Sequence, residues 1–293
     1  MVEVGPTDNT QPLKAAAWMT GGIASFSAMA VAGRELADVH DTFEMMLFRS
    51  VVGIVLVVVI AGALGRLGEI STRRMDLHIG RNIFHFTGQN LWFYAVTVIP
   101  LAQVFALEFT SPIWVALLAP LVLGEKLTRV RILSAVLGFI GVLLVAQPGA
   151  EPVSPGILLA ALAAMCFAAT FLFTKKLTRV ASITCILFWL TVVQAVIGVL
   201  FVFWDGVVAW PTAATLPWLV LIGCAGLFAH LCVTNALAIA PATLVVPMDF
   251  LRLPLIAVVG MVIYGEPLNA LVIAGAVIIF AANYLNIWTE TRR

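Results

Sequence analysis

Long apolar runs alternate with short breaks of charge, proline and glycine along the whole chain. The pattern predicts ten helical segments, near residues 13–33, 43–64, 79–98, 100–123, 129–147, 154–174, 181–204, 214–239, 241–264 and 267–288. Each run approaches or exceeds the roughly 20 residues a helix needs to cross a bilayer. A transmembrane barrel would instead show alternating segments of about ten residues. Runs such as those at 51–64 and 271–282 are continuous and helical in texture. The breaks leave no room for a second, soluble domain.

Composition sharpens this picture. Of 293 residues, 62% are hydrophobic and 11% charged, against about 25% charged in a soluble domain. So little charge cannot coat a water-facing surface. The net charge of +1 removes a bulk electrostatic case for nucleic acid as a partner. The lipid bilayer and a small-molecule substrate are the expected partners, for a chain that functions as a monomer. Residues 1–12 contain Glu3, Asp8 and Asn9 and no basic stretch before a short apolar one, so they read as a retained tail rather than a signal peptide. The four cysteines lie inside apolar runs without a C-x-x-C pair and read as buried hydrophobes. No metal-ligand cluster stands out, and no cofactor is expected.

The basic residues predict an orientation, because cytoplasmic loops carry excess Lys and Arg. With the amino terminus inside, thirteen of the sixteen fall in inside segments: Lys14; Arg66, Arg73, Arg74 and Arg81; Lys126, Arg129 and Arg131; Lys175, Lys176 and Arg179; Arg292 and Arg293. Only Arg34 falls outside, while Arg49 and Arg252 lie within helices. Both termini are therefore expected in the cytoplasm.

The sequence also matches itself when its second half is laid on its first. With Pro100 set on Pro241, Phe109 falls on Phe250, Gly124-Glu125 on Gly265-Glu266, Leu127 on Leu268, and Glu108 on Asp249. Over Pro100 to Leu144, 12 of 45 positions are identical without a gap. Five helices per copy is an odd number, so the second copy enters the membrane upside down, as in many secondary transporters. The expected organisation is a tail at 1–12, a five-helix repeat at 13–147, an external linker at 148–153, a second repeat at 154–288 and a tail at 289–293. The fold class is an all-α integral membrane protein: two inverted five-helix repeats around a central cavity.

The segments LVLGEKLTRVRILSAVLGFIGVLLV and VIYGEPLNALVIAGAVIIFAANYL, with YAVTVIPLAQVFALEFTSPIW and NALAIAPATLVVPMDFLRLPL before them, resemble the drug/metabolite transporter superfamily of EamA type. The resemblance covers nearly the whole chain. It implies a ten-helix bundle and secondary transport of small metabolites by alternating access in a bacterial inner membrane. In general texture the chain is most similar to the YddG-like bacterial amino-acid exporters, which implies export of aromatic or other neutral amino acids. Relatives in the superfamily import vitamins or S-adenosylmethionine, or export purines and drugs. The first-helix glutamate of its small four-helix members has no counterpart between Leu13 and Gly33.

Ionisable side chains inside hydrocarbon are costly and mark function by default. Arg49, His85, Glu108, Asp249 and Arg252 stand out, with His230 a sixth. Counted by helical rise, Glu108 and Asp249 flank the midplane from opposite sides, and Arg252 lies nearly level with Glu108. Glu108 is expected to pair with Arg252 or Arg49, and Asp249 with Arg252 at i, i+3. His85, Gln89 and Trp92 share one face of the third helix and are candidates for the cavity wall, with Trp18, Trp114 and Trp189 as further apolar wall. Glu108 together with Arg252 or His85 would suit both charges of a zwitterionic amino acid. Pro112 and Pro120, and Pro247 and Pro254, would bend the fourth and ninth helices and are hinge candidates.

Two other classes fit less well. A membrane-embedded hydrolase would show H-E-x-x-H, G-x-S-x-G or a carboxylate pair on adjacent helices; the first two are absent, and Glu108 and Asp249 are a pair with adjacent arginines and no metal-ligand cluster. A channel would show charge rings or a carbonyl filter, and neither is legible.

Overall fold

The computed structural model describes residues 10–36, 38–98, 104, 107–146, 154–203, 208–264 and 270–292. Pro100, the linker at 148–153 and the second Gly265-Glu266-x-Leu268 lie outside the described residues. The helices are α1 (Pro12–Leu36), α2 (Thr42–Ala63), α3 (Met75–Val98), α4 (Ser111–Leu123), α5 (Arg129–Ala146), α6 (Pro155–Leu177), α7 (Ile183–Val202) and α8 (Leu216–Ile239). A short α9 (Ala242–Val245) then runs through a 3-10 stretch (Val246–Leu251) into α10 (Arg252–Tyr264), and α11 (Ala270–Thr291) follows. Seven of the described helical stretches are long and apolar enough to cross a membrane. Apolar side chains such as Leu121, Leu200, Val262 and Val277 point outward from the bundle, the reverse of a water-soluble surface.

Local chemistry sets the helix ends. Asp41 and Glu44 form a capping box at the start of α2, each side chain bonding the other's backbone N–H at 2.8 and 3.1 Å, which satisfies donors the helix leaves open. Ser154 and Ser182 cap α6 and α7. Gly124 ends α4 with φ 69°, the left-handed conformation that glycine adopts without strain. The sequence pattern places the end of the second segment, but not the turn at Arg74 (φ 61°), whose guanidinium clasps Asp76 at 2.9 and 3.0 Å just ahead of α3.

The main packing pairs are α1 with α8, α3 with α6, α2 with α7 and α8, and α5 with α11. Numbering the ten predicted segments in order, exchange of each with the one five away turns the first-with-eighth pair into third-with-sixth. It leaves second-with-seventh and fifth-with-tenth unchanged. The contacts of α5 with α11 and with the 3-10 stretch depend on missing side chains. A Cβ on Gly141 would lie 2.8 Å from the Gly275 carbonyl oxygen, and one on Gly138 would lie 2.5 Å from the Phe250 ring. Small residues at such contacts let apolar helices approach closely where lipid provides no hydrophobic drive.

Three expectations need correction. The fourth and ninth helices are not continuous: residues 107–108 are helical, 109–110 form a turn and α4 begins at Ser111, while 246–251 tighten into 3-10 geometry. Consequently Pro112 stands in the first turn of α4, where a proline does not break the helix. Pro247 opens the 3-10 stretch and Pro254 falls in the first turn of α10, so neither bends an α-helix from its middle. Pro120 alone of the four lies well inside one of these helices. Arg81 is not a loop residue. Because α3 begins at Met75, Arg81 sits nearly two turns inside it and is 1% exposed. Finally, the expected tail at 289–293 continues α11 as far as Thr291.

Candidate functional site

The breaks in the fourth and ninth segments fall at matching positions of the two halves, and each carries a carboxylate. Backbone chemistry explains the first. Pro112 has no N–H to give the carbonyl of Glu108 four residues earlier; the Ser111 hydroxyl donates to that carbonyl instead at 2.6 Å. Thr110 does the same for Leu107 at 2.7 Å. In the second break, the 3-10 stretch that Pro247 opens carries Asp249, and Arg252 starts the next helix. Phe109 and Phe250, which follow the two carboxylates, meet edge to face at 5.8 Å between centroids.

This arrangement brings Glu108, Asp249 and Arg252 together. One guanidinium nitrogen of Arg252 donates to both Glu108 Oε1 and Asp249 Oδ2, the latter at 3.0 Å. Both carboxylates are buried. The guanidinium lies 5.5 and 5.2 Å from the ring centroids of Phe26 and Phe109, within cation–π reach. Two carboxylates share one cation, so the ionised cluster carries an excess negative charge. Glu108 Oε2 and Asp249 Oδ1 have no hydrogen-bond partner among the described residues. Two acceptors and one unbalanced charge suit a cationic group.

Arg49 does not join this cluster, contrary to the alternative pairing expected for it. Helix α2 packs on α7 and α8 rather than on α4. The Arg49 stem passes Gly226, where a Cβ would come within 3.1 Å of its Cδ. Its guanidinium then reaches His85 Nε2 at 3.4 Å and makes no ion pair among the described residues. Arg81 is equally without a carboxylate there: it donates to Thr174 Oγ1 at 2.9 Å, Asn82 Oδ1 at 3.3 Å and His230 Nδ1 at 3.5 Å. The rings of His85 and His230 meet edge to face at 4.8 Å. Phe26 stands between the two clusters, 5.6 Å from His230 on one side and under Arg252 on the other.

The third-helix face is thus divided. His85 belongs to the arginine cluster. Gln89 is buried, with its Oε1 unpartnered among the described residues. Trp92 packs with Leu107, Ile157 and Ala160, beside the break that carries Glu108. Trp189 is not a wall residue; its indole donates to the Ser71 carbonyl at 2.8 Å. Trp18 and Trp114 pack on the largest apolar core. Sequence reasoning missed Arg81 as a site residue, because α3 starts ahead of it without a cap that the sequence marks.

At the end carrying Leu123, Arg131, Ile239 and Glu290, polar contacts lock the helices together. Glu125, from the Gly-Glu pair, accepts from the backbone N–H groups of Ala242 and Thr243 at 2.9 and 3.1 Å and from the Thr243 hydroxyl at 3.0 Å. Arg131 clasps Glu290 with two bonds, at 3.0 and 2.9 Å, and donates to Thr243 at 3.1 Å. Lys175 donates to the Leu237 and Ala240 carbonyls that end α8, and Arg179 to the Leu123 carbonyl that ends α4 at 3.1 Å. Cations at helix C-termini satisfy open carbonyls and complement the helix dipole. Several basic residues counted for orientation therefore also close this end.

An apolar exterior over a buried polar interior is the make-up of a multi-pass membrane protein. Similarity to known proteins agrees. The EamA-like transporter family matches residues 13–147 and again 154–288, and the chain belongs to that family. It is 26% identical over 277 residues to an S-adenosylmethionine uptake transporter of Rickettsia bellii, covering 94% of each chain. It is 33% identical over 218 residues to a riboflavin transporter of Brucella anthropi, covering 73% of this chain and 77% of that one. It is 28% identical over 291 residues to a riboflavin transporter of Vibrio cholerae, covering 96% and 95%. A solved crystal structure shares the fold, with a TM-score of 0.81 at 16% identity over 95% of this chain and 98% of the other.

Proposed function

We propose that this chain is a secondary carrier for a metabolite that joins a ring system to a cationic centre, an S-adenosylmethionine-like or vitamin-like solute, moved by alternating access. The observation that carries this reading is the Glu108–Asp249–Arg252 cluster, with its excess negative charge, two open acceptor oxygens and the Phe26 and Phe109 rings beside it. Relatives named for S-adenosylmethionine uptake support the cationic, ring-bearing class, and those named for riboflavin transport support its ring system alone. His85, Gln89 and Trp92 form the adjoining wall. Ten helices in two inverted repeats, at 13–147 and 154–288, are supported by the double family match, the matching breaks and the interchange of helix pairs. The protein works as a monomer in a bacterial inner membrane with both termini cytoplasmic.

A second reading, export of neutral or aromatic amino acids, is favoured by one feature: a carboxylate and an arginine side by side suit a zwitterion. Counterflow in proteoliposomes separates the two. Labelled S-adenosylmethionine or riboflavin should exchange and saturate, while tryptophan and leucine should not. Exchange of the amino acids alone would replace the first reading by the second, and leak without saturation would remove both.

A further inference from the structure

The described residues hold a second buried cluster, of opposite sign. Arg49, His85, His230 and Arg81 form a column: the Arg49 guanidinium touches His85 at 3.4 Å, His85 meets His230 at 4.8 Å between ring centroids, and His230 touches Arg81 at 3.5 Å. All four are at least nine-tenths buried. In both arginine contacts the guanidinium must donate, since it has no acceptor, so each imidazole accepts with one nitrogen. A neutral imidazole then bears its proton on the other nitrogen. Those atoms, His85 Nδ1 and His230 Nε2, have no hydrogen-bond partner among the described residues. The column therefore presents two cations and two open N–H donors. Its other polar neighbours, Thr174 and Asn82, spend their oxygens on Arg81.

Such an arrangement is costly when left alone. Arginine does not shed its proton, and a buried charge without a counter-charge is strongly disfavoured. No carboxylate among the described residues forms an ion pair with either arginine. Among the described residues nothing supplies the counter-charge. A small cavity of about 10 Å³, room for one water at most, borders Arg49, His230, Gln194 and Thr191 at one end of the column.

We propose that the Arg49–His85–His230–Arg81 column binds a carboxylate of the transported solute, seated against the imidazole pair between the two guanidiniums. The inference rests on the reading of the chain as a carrier with a cationic subsite at Glu108–Asp249. Phe26 touches both clusters, so a solute with one charge of each sign and a ring between or beside them would meet all three elements. That is the chemistry of an amino acid carrying a large substituent.

The test uses the purified full-length protein and simple probes. Thermal unfolding is followed with sodium benzoate, benzamide, sodium phosphate or sodium chloride at matched ionic strength. Benzoate should raise the midpoint above the chloride control, benzamide should not, and the shift should vanish in Arg49→Gln/Arg81→Gln. If that double variant does not fold, Arg81→Lys keeps the charge without the planar fork and should retain a reduced benzoate shift. No benzoate effect in the wild type, an effect that survives loss of both arginines, or a shift by phosphate alone would each overturn the proposal. The outcome is separable from the transport reading. A benzoate shift that needs the arginines, with no counterflow of S-adenosylmethionine or riboflavin, removes the substrate assignment and keeps the subsite. Counterflow with no benzoate shift does the reverse.

Discussion

At the scale of single residues, the balance of charge within each cluster decides what a substitution does. Arg252 serves two carboxylates, so its partners are not equivalent to it. Glu108→Gln leaves Arg252 paired with Asp249 and should give a folded protein with counterflow reduced roughly tenfold or more, the loss of one charge-assisted contact to a cation being worth about 1.5–3 kcal/mol. Normal flux in folded Glu108→Gln would exclude Glu108 from the mechanism. Arg252→Gln strands two buried carboxylates and should be the less stable by about 3–5 kcal/mol relative to wild type, seen as a large fall in the thermal midpoint in detergent. Gly141→Ala would force a Cβ against the Gly275 carbonyl. Backbone cannot rotate away as a side chain can, so about 1–3 kcal/mol of destabilisation is expected in the same measurement. The sequence already singled out Glu108, Asp249 and Arg252, since ionisable groups are conspicuous in apolar runs. It did not single out Gly141, because nothing local tells a packing glycine from any other.

At the scale of elements, ten apolar segments were legible, and the interruptions within two of them were not. Hydropathy averages over a turn or more, and the few polar residues around Phe109 and Phe250 are too short a stretch to split the apolar runs that hold them. The signal was present in the prolines, but as helix starts rather than mid-helix bends. Ser111 and Pro112 act as one device: proline withholds the N–H, and the serine hydroxyl satisfies the Glu108 carbonyl. Ser111→Ala alone should cost about 1–3 kcal/mol, the penalty for an unsatisfied buried carbonyl. Pro112→Ala restores an N–H to that position and should preserve or raise stability while slowing counterflow, if motion of this break is part of the transport cycle. Equal flux in a protein of wild-type stability would show that the break only shapes the site.

At the scale of the whole molecule, contacts of Glu125, Arg131, Lys175 and Arg179 draw α4, α5, α6, α8, α9 and α11 together at one end. The alternating access proposed for this carrier requires that this end open. Glu125→Gln with Glu290→Gln weakens the latch and should shift the population toward the open state. A cysteine at Ala236, fully buried here, should then react faster with a maleimide, and an unchanged rate would show that the latch is not what holds this end shut. The sequence by itself determined the membrane class, the run of helices, the self-similarity of the two halves and the identity of the intramembrane charges other than Arg81. Each of these follows from composition and spacing along the chain, which the cost of placing polar groups in lipid imprints locally. Only the tertiary structure decided that Arg49 goes to His85 and not to Glu108, that Arg81 is interior, and that Glu125 reaches the distant Thr243. Partner choice depends on which helices lie side by side. That is set by the fit of small and large side chains between helices, which no period in the sequence records.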